Sequence, residues 1–251
     1  MLKGALLLLL WEDQLYRPTR DIDLEGLGTT DPEQLAATFR IVCNVPCPED
    51  AMTFEDQSIA ASSIRTAQEY GGVRVTLTSF LGRARIPLQV DIGYGDAITP
   101  PPEPRLFPTL LPLPAPLLRT YPLETVVAEK FEAIARLGLG NSRMKDFRDL
   151  LMLVRRRDFD GPVLARAVRG TFAVRRSRIE DLDDVLTPTF FRDQALETRW
   201  RAYRRQQPDV DHIADSFQAV GDALLPFLLP LAEALRGADL DLKWAAGVGW
   251  R

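Results

Sequence analysis

The chain's 251 residues suffice for one large domain or two smaller ones with real cores. Hydrophobic residues at 46% and charged residues at 26% are ordinary for a soluble globular protein and exclude a disordered one. The net charge of −4 is unevenly spread, with 9 basic and 15 acidic residues in 1–118, 19 and 13 in 119–205, and 3 and 7 in 206–251. A basic middle beside an acidic N-terminal part suits metal-binding carboxylates next to a surface for a polyanion, although a helical bundle with a solvated arginine-rich face gives the same count. The two cysteines, Cys43 and Cys47, are expected as free thiols, and the single histidine, His212, is too distant in sequence to complete a zinc site with them.

In chain order, Lys3-Gly4 reads as a strand end turning into a short helix over Ala5–Asp13. Its apolar run is too short to span a bilayer and is followed by acids, so a buried helix fits better than a signal peptide. Residues 20–24 read as a strand, with Gly26 and Gly28 as breakers. Asp31-Pro32 is a helix start, an N-cap acid with proline at N1, and that helix runs to about Arg40. Ser58–Thr66 alternates loosely. Val73–Phe80 and Ile86–Ile92 are strands joined through a turn at Gly82, a plausible hairpin. The proline-rich stretch Ala97–Pro116 is expected to lack regular structure and to serve as an extended crossover. Helices follow over Leu123–Leu137, Met144–Arg156, Gly161–Val174, Thr189–Arg205 and Ile213–Leu235, the last kinked at Pro226 and Pro230. The domain boundaries expected are an α/β core over 1–96, a crossover over 97–120 and a helical part over 121–251.

The run Arg17-Pro-Thr-Arg-Asp21-Ile-Asp23-Leu carries the chemistry. In a strand, Asp21 and Asp23 share one face while Ile22 and Leu24 point the other way. Two carboxylates so placed repel unless a cation or a proton lies between them, although Asp-x-Asp also occurs in solvated strand ends. Asp91 lies in a later strand, and if the two strands pair, three carboxylates converge. Three carboxylates with divalent cations are what in-line nucleotidyl transfer requires, and hard oxygen ligands make magnesium the default. Gly4 at a helix start could let backbone N–H groups approach phosphate. Asp146 and Asp149 share a helical face, with Arg143, Lys145 and Arg148 around them. Lys130 either helps to neutralise phosphate charge or pairs at the surface with Glu129 or Glu132.

Five pieces in this order resemble the AbiEii/AbiGii toxin family of minimal nucleotidyltransferases. They are Leu2-Lys3-Gly4, RPTRDIDL at 17–24, the hairpin at 70–96, YPLETVVAEKFEAI at 121–134 and SRMKDFRDL at 142–150. The resemblance implies an α+β fold, a mixed nucleotidyltransferase sheet with flanking helices plus a C-terminal helical domain. It implies that Asp21, Asp23 and Asp91 hold magnesium, that Lys130 contacts the nucleotide, and that Asp146 is the later motif acid. Lys3, Gly4, Ala5, Arg20, Arg143, Lys145 and Asp149 are expected around the nucleotide. The implied substrate is an NTP, the acceptor an RNA with tRNA first and a protein hydroxyl as second choice, the partner a cognate antitoxin, and the location the cytoplasm with no membrane association. Two departures stand out: the family usually has Gly-Gly or Gly-Ser where this chain has Gly4-Ala5, and it usually carries a helical segment before the Lys-Gly strand. The second suggests a truncated or misassigned start, and the two together motivate the alternative function, a catalytically weak or inactive member that binds an NTP, an RNA or a partner chain.

Overall fold

The computed structural model describes residues 1–11, 19, 21–64, 71–109, 111–207 and 213–251. They fall into two compact units, Met1–Asp96 with Pro102–Tyr121, and Ala97–Pro101 with Pro122–Arg251. The architecture is α+β.

The first unit is built on a mixed eight-stranded sheet. Its strands are β1 (Leu2–Lys3), β2 (Asp21–Glu25), β3 (Met52–Phe54), β4 (Ala60–Ile64), β5 (Gly72–Leu81), β6 (Ala84–Gly93), β7 (Glu103–Leu106) and β8 (Leu117–Thr120). They run in the order β3-β5-β6-β2-β1-β8-β7, and β4 also pairs with β5. β2 lies parallel to β6, and β1 parallel to β8, while the hairpin β5–β6 is antiparallel. Only Gly82 and Arg83 separate its last pair, Leu81 and Ala84. Gly82 has φ +59° and Arg83 does not have positive φ. That sign pattern suits the right-handed twist of the strands it joins.

Period-two alternation sorts the sheet's side chains. Val73, Val75, Leu77, Val90 and Ile92 form a buried cluster with Ile22, Leu24 and Leu88 against it. Helix α1 (Pro32–Cys43) covers this face through Leu35, Ala36 and Phe39. Its N-cap Asp31 accepts from the Glu33 amide at 3.0 Å and Pro32 stands at N1, the start expected from sequence. Cys43 at its end and Cys47 beyond it are free thiols. With the apolar residues committed to one face, every acid of β2 in the opposite phase is left on the other.

Two expectations change here. The Ala5–Asp13 helix is a 3₁₀ segment over Gly4–Leu10, and residues 12 and 13 lie outside those described. The proline-rich stretch is not devoid of regular structure: β7 and β8 pair antiparallel and extend the sheet through β1. Proline removes a ladder donor, but β7 is at the end of the strand order, so Pro104 can present its missing N–H away from the ladder.

The second unit is helical. It contains α2 (Leu123–Leu137), α3 (Met144–Arg156), α4 (Gly161–Val174), α5 (Asp181–Val185), α6 (Pro188–Phe191), α7 (Gln194–Arg205) and α8 (Phe217–Leu235). A small sheet of β9 (Phe159–Asp160), β10 (Lys243–Ala245) and β11 (Gly249–Trp250) was not expected from sequence. Nor was the division of Thr189–Arg205 into α6 and α7, which follows from Asp193 capping the Ala195 and Leu196 amides and starting a new helix. Among the described residues one helix, α8, is long and apolar enough by composition to cross a membrane. Its Phe217, Val220, Leu224, Phe227, Leu228 and Leu231 are fully buried within the unit, which accounts for its apolarity as that of a core helix.

Candidate active site

The polar face of β2 and its neighbours gathers most of the residues singled out in the N-terminal part. The parallel register sets Asp23 directly beside Asp91 and Asp21 beside Gln89. Strands in such a ladder are about 4.8 Å apart, so the Asp23 and Asp91 carboxylates rise from adjacent positions. Asp21 stands two residues along the same strand and face. The antiparallel register places Lys3 of β1 on the other side of Asp23.

Gly4 follows at once, with φ +72°. A Cβ built there would lie 2.0 Å from Asp23 Oδ2. The glycine therefore serves two needs: a left-handed backbone and the close approach of that backbone to the Asp23 carboxylate. Gly4→Ala should cost about 1–3 kcal/mol of stability and displace Asp23. Thermal melting together with nucleotide-analogue binding checks this; an unchanged melt and unchanged binding would refute it.

Arg74 of β5 faces Asp91 across the hairpin, and its Nε and Nη2 donate to Asp91 Oδ1 and Oδ2, both at 2.8 Å. The hydrogen bonds to Asp91 push the guanidinium's pKa further up against partial desolvation, and the charges of Asp91 and Asp21 add to that effect. Gln89 Nε2 donates to Asp21 Oδ1 at 2.9 Å and to Asp91 Oδ2 at 3.4 Å. The Arg74 side chain is 42% exposed and that of Asp91 21%. An ion pair this accessible is worth about 0–1 kcal/mol.

Lys3 has a different set of partners from those expected of a nucleotide ligand. Its Nζ lies 2.8 Å from Glu25 Oε2 and 2.7 Å from Asp96 Oδ2, and 5.7 Å from the centroid of the Tyr121 ring. Tyr121 Oη donates to the same Asp96 oxygen at 3.1 Å, and the Asp96 amide donates to Glu25 Oε1 at 3.0 Å. This network ties the ends of β1, β2, β6 and β8 together around a Glu25 that is only 3% exposed. Gly93 leaves the room for it, since a Cβ there would meet Lys3 Nζ at 2.6 Å.

Magnesium fits this donor set under one condition. Among the described residues, no three side chains of histidine, cysteine, aspartate or glutamate gather into a ready-made metal cluster. Asp91 is engaged by Arg74 and Asp21 by Gln89. The donors are nonetheless hard carboxylate oxygens on one face, and magnesium is commonly held by one or two carboxylates plus substrate phosphates. The residues therefore suit a cation that arrives with a nucleotide better than one caged by protein alone.

In the helical unit, Lys130 of α2 reaches α3, where its Nζ lies 2.9 Å from Asp146 Oδ1 and 2.8 Å from Asp149 Oδ2. Asp146 and Asp149 are both buried. Arg143 Nε is 2.7 Å from Asp146 Oδ2. Burial raises the Asp146 pKa, but the charges and hydrogen bonds of Lys130 and Arg143 outweigh it and hold the carboxyl below its ordinary range. Surface pairing of Lys130 with Glu129 or Glu132 is not what the structure shows, because Arg175 takes both of those carboxylates, at 2.7 and 2.9 Å. Lys145 is exposed, Ala5 is half-buried, and Arg20 lies outside the described residues.

Sequence reasoning missed Arg74, Gln89, Glu25, Asp96 and Tyr121. Arg74 had left a trace, as the one charge in the alternating run Val73–Phe80, in the phase opposite to the valines. Glu25 and Gln89 continue the i, i+2 pattern of the aspartates.

A mixed sheet carrying acids on one face and packed through its other face is joined by a clear family match. Residues 1–223 match the model of the family described as nucleotidyl transferase AbiEii toxin, type IV TA system. The chain is thus of the nucleotidyltransferase class. It belongs to the AbiEii family of toxins, and a toxin of a type IV toxin–antitoxin system implies an antitoxin partner. No curated protein matches it in sequence. Two solved structures are similar to it. One is a Helicobacter pylori protein described as a candidate nucleotidyltransferase, with 14% identity, TM-score 0.49, and coverage of 94% of this chain and 87% of that one. The other is JHP933 from Helicobacter pylori, with 13% identity, TM-score 0.46, and coverage of 91% and 82%.

Proposed function

We propose that the chain transfers a nucleotide from an NTP to an RNA acceptor, tRNA first among the candidates, with magnesium as the assisting cation. The observation that carries this reading is the parallel register of Asp23 and Asp91 with Asp21 on the same face. In the reaction, an acceptor hydroxyl oxygen loses its proton to water and bonds to the α-phosphorus, the bond from that phosphorus to the β-phosphate bridging oxygen breaks, and pyrophosphate leaves. A bound divalent cation supplies neutralisation of phosphate charge and acidifies the acceptor hydroxyl. Asp21, Asp23 and Asp91 would hold that cation. The Gly4 backbone fixes the Asp23 carboxylate from one side, and Gln89 orients Asp21 and Asp91 from the other.

Lys130 is proposed as a nucleotide contact and Asp146 as the later motif acid on the resemblance alone. Asp149 and Arg143 then act by fixing those two groups. The excess of arginine and lysine over acids in residues 119–205 favours an anionic acceptor. The cytoplasm, where NTPs and tRNA occur together, is the compartment this reading requires.

The test is to incubate the purified full chain with each α-labelled NTP, magnesium and total tRNA. Label should appear in tRNA from at least one NTP and vanish with a chelator. If no NTP labels any RNA while the protein still binds NTP, the chain is a binding protein and the transferase reading fails.

A further inference from the structure

Resting on the nucleotidyltransferase reading, the geometry points to a role for Arg74 that neither the family nor the reaction assigns. We propose that Arg74 is a positioning residue that holds Asp91 until nucleotide arrives, then exchanges Asp91 for the triphosphate. Cation binding at Asp91 is thereby coupled to NTP binding.

Four observations converge on this. First, Arg74 and Asp91 are direct cross-strand partners, and both Asp91 oxygens accept from one guanidinium at 2.8 Å. A divalent cation ligated by Asp91 would lie against a positive group, so the two cations compete for one carboxylate. Second, Arg74 answers a need of the sheet. Asp21, Asp23 and Asp91 share one face, and without a cation their repulsion needs a counter-charge, which Arg74 supplies from the neighbouring strand.

Third, the pair is placed to be given up. The Arg74 side chain is 42% exposed, and an ion pair in contact with water contributes little and is readily exchanged. This contrasts with Lys130, whose two carboxylate partners are buried. Fourth, the group has somewhere better to go. A guanidinium fork matches phosphate oxygens as it matches a carboxylate, and a triphosphate brings more negative charge than Asp91 does. The triphosphate would then draw Arg74 off Asp91 and release the carboxylate for the cation that accompanies it.

The experiment compares full-length wild type with Arg74→Gln, using Mn²⁺ as the spectroscopic stand-in for magnesium. Electron paramagnetic resonance measures free Mn²⁺ with and without a non-hydrolysable NTP analogue. In wild type, the analogue should tighten Mn²⁺ binding strongly. Arg74→Gln should bind Mn²⁺ alone about fivefold more tightly, bind the analogue about tenfold more weakly, and lose most of the coupling between the two. Should Arg74→Gln fail to fold, Arg74→Lys carries the test: its single ammonium should give a smaller gain in Mn²⁺ affinity and a partial loss of coupling. Unchanged or weaker Mn²⁺ binding by the variant, in a chain whose wild type binds Mn²⁺ with nucleotide, overturns the role of Arg74 and leaves the transferase reading standing. A wild type that binds neither Mn²⁺ nor the analogue overturns both.

Discussion

Lys130→Met should destabilise the helical unit by about 3–5 kcal/mol, the cost of removing a cation that two buried carboxylates share. Asp146 and Asp149 are both buried and both point at that one ammonium, at 2.9 and 2.8 Å. The loss has a pH signature. In wild type, the lowered Asp146 pKa means that its contribution is fully present above the ordinary carboxylate range, about pH 4, and is lost as pH falls through the lower folded value. Removing Lys130 lets burial weigh more heavily and raises the folded value. The variant's deficit should then grow as pH rises and shrink towards pH 4. Urea unfolding of both proteins at pH 7.5 and pH 5 measures it. A deficit below about 1 kcal/mol at both pH values would show that the cluster is not the anchor its burial indicates.

Asp23→Asn should lower nucleotidyl transfer by about 10²–10³-fold while changing stability by no more than about 1 kcal/mol. Asp23 is the acid that three features converge on: Asp91 beside it on β6, Lys3 across from it on β1, and the Gly4 backbone against its carboxylate. Asparagine keeps the shape that Gly4 accommodates and removes only the charge. The two readouts therefore separate, in contrast to Gly4→Ala, which disturbs fold and site together. Label transfer and thermal melting of the same preparations decide it. Full transfer by Asp23→Asn would remove the carboxylate face from the mechanism.

The contrast between Asp21-Ile-Asp23 and Lys130 shows what kind of information local sequence holds. Alternation in residues 20–24 was enough to put both aspartates on one face and Ile22 and Leu24 in the core, because side-chain direction in a strand is a local property. The Asp31-Pro32 helix start and the Gly82 hairpin were legible for the same reason, since caps and tight turns are satisfied by neighbours in the chain. The partners of Lys130 were not legible. Glu129 and Glu132 are its sequence neighbours, yet Asp146 and Asp149, 16 and 19 residues on, are its partners. Helix packing chooses between such candidates, and no local pattern encodes it.

The sequence by itself determined that this protein has an acid-bearing strand, an α1 with its own cap, a β5–β6 hairpin and a helical C-terminal part. It also determined the order of motifs that marks the AbiEii family. Only the tertiary structure decided that β2 lies parallel to β6 with Asp23 in register with Asp91, and that Arg74 reaches Asp91 from the next strand. It decided too that the proline-rich stretch closes one end of the sheet. The physical reason is common to all three. Strand pairing is a non-local choice, in which ladder hydrogen bonds and burial of one face select among registers that look alike along the chain.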